Sequence, residues 1–265
     1  NSRAIPAGAF QLSVLDVGQG LSAVIETAGH VLVFDSGARY SPRFDIGSAV
    51  ILPYLRARGR RPDRLVISHG DADHIGGAEA VLAAYPDTDL VGQDIDNLAA
   101  RHKSPCYRHQ RWQWDGVNFE FLSPPAGAAP ADRRNNRSCV LRVSSPAGSV
   151  LLGGDIEKKI ERQLVAQLPD KLRADVLLVP HHGSNTSSST AFIRAVSPRT
   201  AVISAGYRNR YRLPSKKVLA RYRQQGIDVI QTWQSGALHI VFRQGEAFRL
   251  SRYRQLAQKY WHRQP

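Results

Sequence analysis

Four short apolar runs in this chain each stop at a turn built from aspartate, histidine and glycine. This repeated punctuation constrains the fold more than any other feature. Val31-Leu32-Val33-Phe34 ends in Asp35-Ser36-Gly37, and Leu65-Val66-Ile67 ends, one serine later, in His69-Gly70-Asp71-Ala72-Asp73-His74. Val150-Leu151-Leu152 ends in Gly153-Gly154-Asp155, and Val176 to Pro180 ends in His181-His182-Gly183-Ser184. Apolar runs of this length bounded by turn residues read as buried strands. In layered α/β folds ligands bind outside the carboxyl ends of the strands, so the four tips are expected to converge on one site. Singly each tip is ordinary: Asp155 reads as a helix N-cap, Asp35 as a turn residue, a histidine after a strand as a surface residue. Four tips all ending in Asp or His favour a site.

The remaining pattern supplies the layers. Strands are expected at Phe10-Leu15, Ser22-Glu26, His30-Phe34, Arg64-Ile67, Asn118-Leu122, Cys139-Ser144, Ser149-Leu152, Asp175-Val179, Thr200-Ser204, Asp228-Ile230 and Ala237-Phe242. Helices are expected at Ala49-Arg58, Ala78-Tyr85, Ile156-Leu168, Ser189-Val196 and Lys216-Gln224, bounded by Gly59, Gly77, Pro169 and Gly226. Hairpin-like strands first and strand–helix units later predict an α/β fold of two packed sheets with helices outside. With 265 residues and 42% hydrophobic content, one large domain is expected. No apolar run approaches the roughly 18 residues that span a bilayer, and no signal peptide opens the chain. A start at Asn1 and the absence of methionine suggest a piece of a longer protein. Cys106 and Cys139 can pair once and leave the redox compartment open. Pro124 to Ala131 reads as a long loop, followed by the basic Asp132-Arg137 segment.

The second tip carries the chemistry. His69, Asp71, Asp73 and His74 place four metal-capable side chains within six residues. They cannot all be buried unpaired, and a cation satisfies them together. With Asp155, His181 and His182 the candidate ligands exceed what one tetrahedral ion uses, which points to two ions. A dinuclear site needs a bridging carboxylate, and Asp155 is the candidate. His69 with Asp71 would hold one ion; Asp73 with His74 and one of the paired histidines would hold the other. The carboxylates make Mn²⁺ competitive with Zn²⁺, with Mg²⁺ a further candidate.

Charge is placed on one side. From Arg194 to Pro265 there are 15 Lys/Arg against two acids, while the remainder is nearly neutral. A one-sided basic segment is the footprint of a polyanion partner, and nucleic acid fits it better than anionic lipid. Arg208, Arg210, Lys216 and Lys217 are candidates for tracking a phosphate backbone, and Ser184 and Asn209 for hydrogen bonds to a phosphate. Trp112, Trp114, Tyr207 and Tyr211 are candidates for stacking on unpaired bases, with core or rim packing the more ordinary role for most of them.

His69-Gly70-Asp71-Ala72-Asp73-His74 resembles the H-x-H-x-D-H motif of the metallo-β-lactamase superfamily, with Asp71 where the second histidine usually stands. Leu15-Asp16-Val17-Gly18-Gln19-Gly20, Asp35-Ser36-Gly37, Asn135-Asn136-Arg137-Ser138, Gly153-Gly154-Asp155 and His181-His182-Gly183-Ser184 follow in the order seen in the ComEC DNA-uptake proteins. Trp114 to Val117, Ser204-Ala205-Gly206 and Asn209-Arg210-Tyr211 are similar to ComEC as well. The resemblance implies an αββα sandwich, two mixed sheets with helices on the outer faces, and a dinuclear metal site at its edge. It implies a domain over 10–250, with 1–9 a linker and 251–265 a basic tail. It further implies a metal-dependent deoxyribonuclease that degrades the non-transported strand during natural transformation. Asp73, Asp155 and His182 are its expected catalytic residues, and the ions are expected to acidify a water and neutralise phosphate charge. The expected location is the periplasmic or outer face of an inner-membrane protein. Expected partners are DNA, the membrane channel of the same polypeptide and other competence proteins, with no small-molecule cofactor. Two departures stand out. Asn136 or Ser138 occupies the place of the superfamily's third histidine motif, and Leu213-Pro214-Ser215 replaces a His-Pro-His of many relatives. The alternatives are a non-catalytic DNA-binding module of the channel and a small-molecule hydrolase of the same fold.

Overall fold

Alternation along the central strands sends successive side chains into different layers. In Val31–Phe34, Leu32 and Phe34 join a core between two sheets, whereas Val31 and Val33 pack under helices on the outer face. In Gly148–Leu152, Val150 and Leu152 join the same shared core and Leu151 faces the opposite helices. Three apolar layers result, and they separate the four layers of an αββα sandwich. The computed structural model describes residues 4–127 and 134–257.

The first sheet has eight strands in the spatial order Arg249–Arg252, Leu238–Phe242, Phe10–Val14, Ala23–Glu26, Val31–Phe34, Arg64–Ile67, Asp89–Gly92, Lys103–Pro105. The second has seven, in the order Asp228–Gln231, Thr200–Ile203, Val176–Leu178, Gly148–Leu152, Val140–Ser145, Val117–Ser123, Arg111–Trp114. Both are mixed. Val31–Phe34, Arg64–Ile67 and Asp89–Gly92 run parallel in the first, and Gly148–Leu152, Val176–Leu178 and Thr200–Ile203 in the second. Helices Leu52–Ala57 and Ala78–Ala84 cover one outer face through Leu55, Val81 and Leu82. Lys158–Gln167, Thr190–Val196 and Lys216–Gln224 cover the other through Ile160, Leu164, Phe192, Ile193, Val218 and Tyr222.

Strands at the margins escaped the sequence reading. Lys103–Pro105 is wholly exposed, and only Trp112 and Trp114 of Arg111–Trp114 turn inward, so neither shows a sustained apolar run. Trp112 stacks on Phe119 with ring centroids 5.0 Å apart, and Trp114 stacks on His30 at 4.9 Å. Both tryptophans therefore serve the sheet interface rather than a base-stacking surface. Gly8 N donates to Asp115 O, and Arg249–Arg252 pairs with Leu238–Phe242. Ala128–Arg133, within the loop and basic segment read from the sequence, lies outside the described residues, as do 1–3 and 258–265.

Cys106 and Cys139 form a disulfide, both fully buried. Cys106 follows the last strand of the first sheet and Cys139 precedes Val140–Ser145 of the second. The bond ties the two sheets together at one end.

Candidate metal centre

The parallel strands deliver their tips to one edge of the sandwich, as the apolar runs predict. Asp35, buried and in a left-handed backbone conformation (φ 58°), is the hub of the first two tips. It accepts from Ser68 N at 2.6 Å, from Ser68 Oγ at 2.8 Å and from His74 Nδ1 at 2.8 Å. His181 and His182 are also left-handed, at φ 53° and 50°. Non-glycine residues in that region cost about 1–3 kcal/mol each and gather at functional sites.

These contacts fix which ring nitrogens remain available. His74 Nδ1 donates to Asp35. His182 Nδ1 donates to the Ser204 carbonyl at 2.7 Å. Ser68 Oγ already gives its proton to Asp35, so it accepts from His69 Nδ1 at 3.0 Å. Whenever these rings are deprotonated, each presents a bare Nε2 lone pair to the same space. The Nε2 atoms of His74 and His182 lie 3.1 Å apart. Lone pairs at that distance repel unless positive charge sits between them. His69 Nε2 and Asp155 Oδ1 are buried without a hydrogen bond, although His74 Nε2 approaches Asp155 Oδ1 at 3.2 Å. Orphaned donor atoms aimed at a common point suit a divalent cation.

The ligand atoms fall into two overlapping groups. His69, His74 and Asp155 form one, and Asp73, His74 and His182 form the other, each within 4.8 Å. Asp155 Oδ2 lies 3.7 Å from His182 Nε2, so this carboxylate reaches both groups. Asp73 Oδ2 is 3.3 Å from His182 Nε2, and Asp71 Oδ2 is 3.5 Å from His69 Nε2. The donor set of three imidazoles and up to three carboxylates fits two ions of the Zn²⁺ or Mn²⁺ kind.

Electrostatics agree. Burial opposes charge on His74, but Asp155 and Asp35 outweigh it and hold the ring well above the ordinary imidazole value. Burial likewise opposes charge on His182, and Asp155 with Asp73 reverses the sign and raises it. For Asp155 burial is outweighed by His74 and His182, which hold the carboxyl well below its usual range. Asp73 is lowered as well, burial being overcome by the hydrogen bond from His182 and the charge of His74. Asp71 is lowered by the His69 ring 3.5 Å away. The cluster attracts positive charge, and protons and divalent cations compete for the same atoms.

Of the paired histidines, His182 enters the cluster. His181 is lowered by burial, and its ring contacts Asn135 Nδ2 at 3.3 Å and Thr186 Oγ1 at 3.0 Å, with Asp155 Oδ2 3.8 Å away. Ser138 accepts from Asp155 N and donates to Asn135 O, and Asn136 Oδ1 accepts from Glu157 N; both brace the Asp155 tip. Ser184 Oγ pairs with Thr186. Asn209 is spent on its own loop, donating to Gly206 O and Leu213 O and accepting from Leu213 N. Arg208 lies over the Tyr207 ring and Arg210 over the Tyr211 ring, all exposed. Lys216 and Lys217 are exposed at the start of their helix.

Sequence reading missed three contributors. Ser68 relays Asp35 to His69; its position between the strand and His69 was the available signal. Arg134 Nη1 lies 3.5 Å from Asp71 Oδ1 at the rim, and Arg137 pairs with Asp94 beside Gly70. Nothing in the sequence pairs those residues across the intervening chain.

A fold of this kind with a histidine–aspartate cluster at its edge defines a class of metal-dependent hydrolase folds, and residues 15–207 match the profile of the Metallo-beta-lactamase superfamily. The chain belongs to that superfamily. More narrowly, it is 42% identical over 99% of its length to Competence protein ComA of Neisseria gonorrhoeae, covering 36% of that protein. It is 37% identical over 88% of its length to Recombination protein 2 of Haemophilus influenzae, covering 29% of it. The chain therefore spans about a third of the length of these curated relatives. Among solved structures, a metallo-hydrolase of Ignicoccus hospitalis superposes with a TM-score of 0.59 at 13% identity, over 88% of this chain and all of that one. That likeness concerns the fold.

Proposed function

We propose that this chain is a metal-dependent deoxyribonuclease domain acting in DNA uptake, where it degrades the strand that is not transported. One observation carries the reading: the basic segment is joined directly to the metal cluster. His182 Nδ1 donates to Ser204 O, and Ser215 N donates to Gly183 O at 2.9 Å. The loop between, with Arg208, Arg210 and Arg212, starts and ends on the turn that presents His182. A site for a small neutral substrate has no use for cations there; a phosphodiester polymer does.

His69, Asp71 and Asp155 would hold one ion, and Asp73, His74, His182 and Asp155 the other. Bound there, Mn²⁺ or Zn²⁺ supplies Lewis acidity that acidifies a water and neutralises phosphate charge. Asp35 orients His74 and, through Ser68, His69, and the Ser204 carbonyl orients His182, so that each Nε2 is aimed inward. Arg208, Arg210, Lys216 and Lys217 position the polymer without reading its sequence. Arg134, 3.5 Å from Asp71, would add a further cation for a phosphate oxygen.

The wider setting follows from the same reading. The catalytic domain would belong to a membrane channel polypeptide and work with other competence proteins, as the name of the gonococcal relative suggests. No helix among the described residues is long and apolar enough to cross a membrane. The Cys106–Cys139 disulfide supports a location on the oxidising, outer side of the inner membrane.

The test is incubation of the chain with single- and double-stranded DNA, with and without Mn²⁺, Mg²⁺ and Zn²⁺, beside Asp73→Ala. Metal-dependent cleavage lost in the variant supports the nuclease. DNA binding without cleavage under every metal would replace it with a binding module.

A further inference from the structure

Two surface segments repeat one alternation of cations and aromatics: Arg39-Tyr40-Ser41-Pro42-Arg43-Phe44 and Tyr207-Arg208-Asn209-Arg210-Tyr211-Arg212. They are far apart in sequence, and the fold sets both beside the metal cluster. The first is the hairpin of Arg39–Ser41 and Phe44–Asp45, which leaves the Asp35 tip. Its base is locked to the metal-bearing turn. Ser36 N donates to His74 O at 2.7 Å, and a Cβ on Gly76 would strike the Arg39 backbone at 2.1 Å. The second segment is anchored to the His182 turn as described above.

Leu15-to-Gly20, the motif that the metal site itself does not use, joins them. The Tyr40 hydroxyl lies 3.4 Å from where a Gly18 Cβ would be, and Gly206 N donates to Gln19 Oε1 at 3.3 Å. Gly20, at φ 131°, lets the chain pass so close to Asp73 that a Cβ there would lie 2.5 Å from its carbonyl oxygen. Gly18-Gln19-Gly20 is thus a floor beside Asp73, with the hairpin on one side and the arginine loop on the other.

The aromatic side chains of these segments are exposed. Six large apolar side chains are exposed among the described residues, and four of them are Tyr40, Phe44, Tyr207 and Tyr211, at 56, 50, 46 and 53%. Tyr40 and Phe44 lie with ring centroids 5.8 Å apart and planes tilted by 37°, so they offer two neighbouring aromatic faces. An apolar protein partner would not select for the interleaved arginines. A nucleic acid strand would, since its phosphates need cations at intervals and its bases need flat apolar faces. Bases offer those faces only when unpaired.

We propose that the hairpin and the arginine loop form a clamp for single-stranded DNA. Tyr40 and Phe44 stack on successive bases while Arg208, Arg210 and Arg212 hold the phosphates, and the backbone is fed past Gly18-Gln19-Gly20 toward Asp73 and His182. The clamp rests on the nuclease reading for the identity of its polymer. It makes the hairpin the determinant of strandedness.

The test reads binding apart from cleavage. Fluorescence anisotropy with a labelled 12-residue oligothymidylate, and with a duplex of equal length, is measured in EDTA for the wild type, Tyr40→Ala/Phe44→Ala and Tyr40→Trp/Phe44→Trp. The wild type should bind the single strand at least tenfold tighter than the duplex. The alanine variant should lose at least tenfold on the single strand with little change on the duplex, and the tryptophan variant should retain binding. Equal affinity for both forms, or an alanine variant within twofold of wild type, overturns the clamp. Because EDTA removes catalysis, selective binding without metal-dependent cleavage in a parallel assay would refute the nuclease and leave the clamp standing. Cleavage with no strand preference would do the reverse.

Discussion

Asp35 decides the chemistry of side chains that it precedes in sequence by more than thirty residues. Accepting from both Ser68 Oγ and His74 Nδ1, it sets two imidazole tautomers at once. Asp35→Asn keeps the shape but brings an amide into a position that needs an acceptor. Divalent-ion affinity should fall about 10–100-fold by isothermal titration calorimetry, the usual cost of losing such an outer partner. The titrating groups give a second expectation. His74 and His182 are raised, so with the ions chelated away their contribution is full below about 6.5 and fades as pH climbs through the raised values. Asp73 and Asp155 are lowered, so theirs is present above about 3.8 and fades as pH falls. In chelator, thermal stability should therefore peak between about pH 4 and 6.5. Added Mn²⁺ or Zn²⁺ should raise the melting temperature more at pH 8 than at pH 5.5, because ions then no longer compete with protons; equal shifts at both pH values would speak against these ligands. The residue types of the site were legible as Asp and His after strands. Their division of labour was not, since tautomer and burial are set by contacts between tips.

At the scale of elements, the turn holding His182 and the loop ending in Ser215 behave as one unit. Gly183 sits at φ 78°, and a Cβ there would lie 2.7 Å from Pro214 Cβ. Gly183→Ala should destabilise the chain and weaken ion binding together. Gly226→Ala is the control, at φ 69° with open space around it, and should cost only about 1 kcal/mol of backbone strain with ion binding intact. Thermal melts and metal titration of both variants check this. Most central strands and the longer helices were legible because their apolar runs are strong, but the parallel strand Asp89–Gly92 was not, its buried stretch being only Leu90-Val91-Gly92. The hairpin of Arg39–Ser41 and Phe44–Asp45 was not, because an exposed two-stranded ribbon has no buried face to pattern it. Trp112 and Trp114 take the ordinary packing role, because alternation with Arg111 and Gln113 turns them inward from an edge strand.

For the whole molecule, the two sheets share a core and one covalent tie. Closing the loop between Cys106 and Cys139, 33 residues apart, constrains the unfolded chain by about 3–4 kcal/mol. Reduction, or Cys106→Ser/Cys139→Ser, should lower the urea midpoint accordingly. The net charge of +14 belongs at this scale too. If about three arginines of the loop neutralise phosphates, single-strand binding should weaken about 20-fold between 50 and 200 mM salt; a flat response would count against the basic face. The sequence by itself determined the layers and the residue types of the cluster, because periodicity and residue type are local properties that burial and donor chemistry read directly. The tertiary structure decided which of two adjacent histidines is buried in the cluster, that Asp35 hydrogen-bonds to His74 Nδ1, and that two basic-aromatic segments lie beside one site. Those outcomes depend on which parallel strand lies beside which, and no local pattern encodes that order.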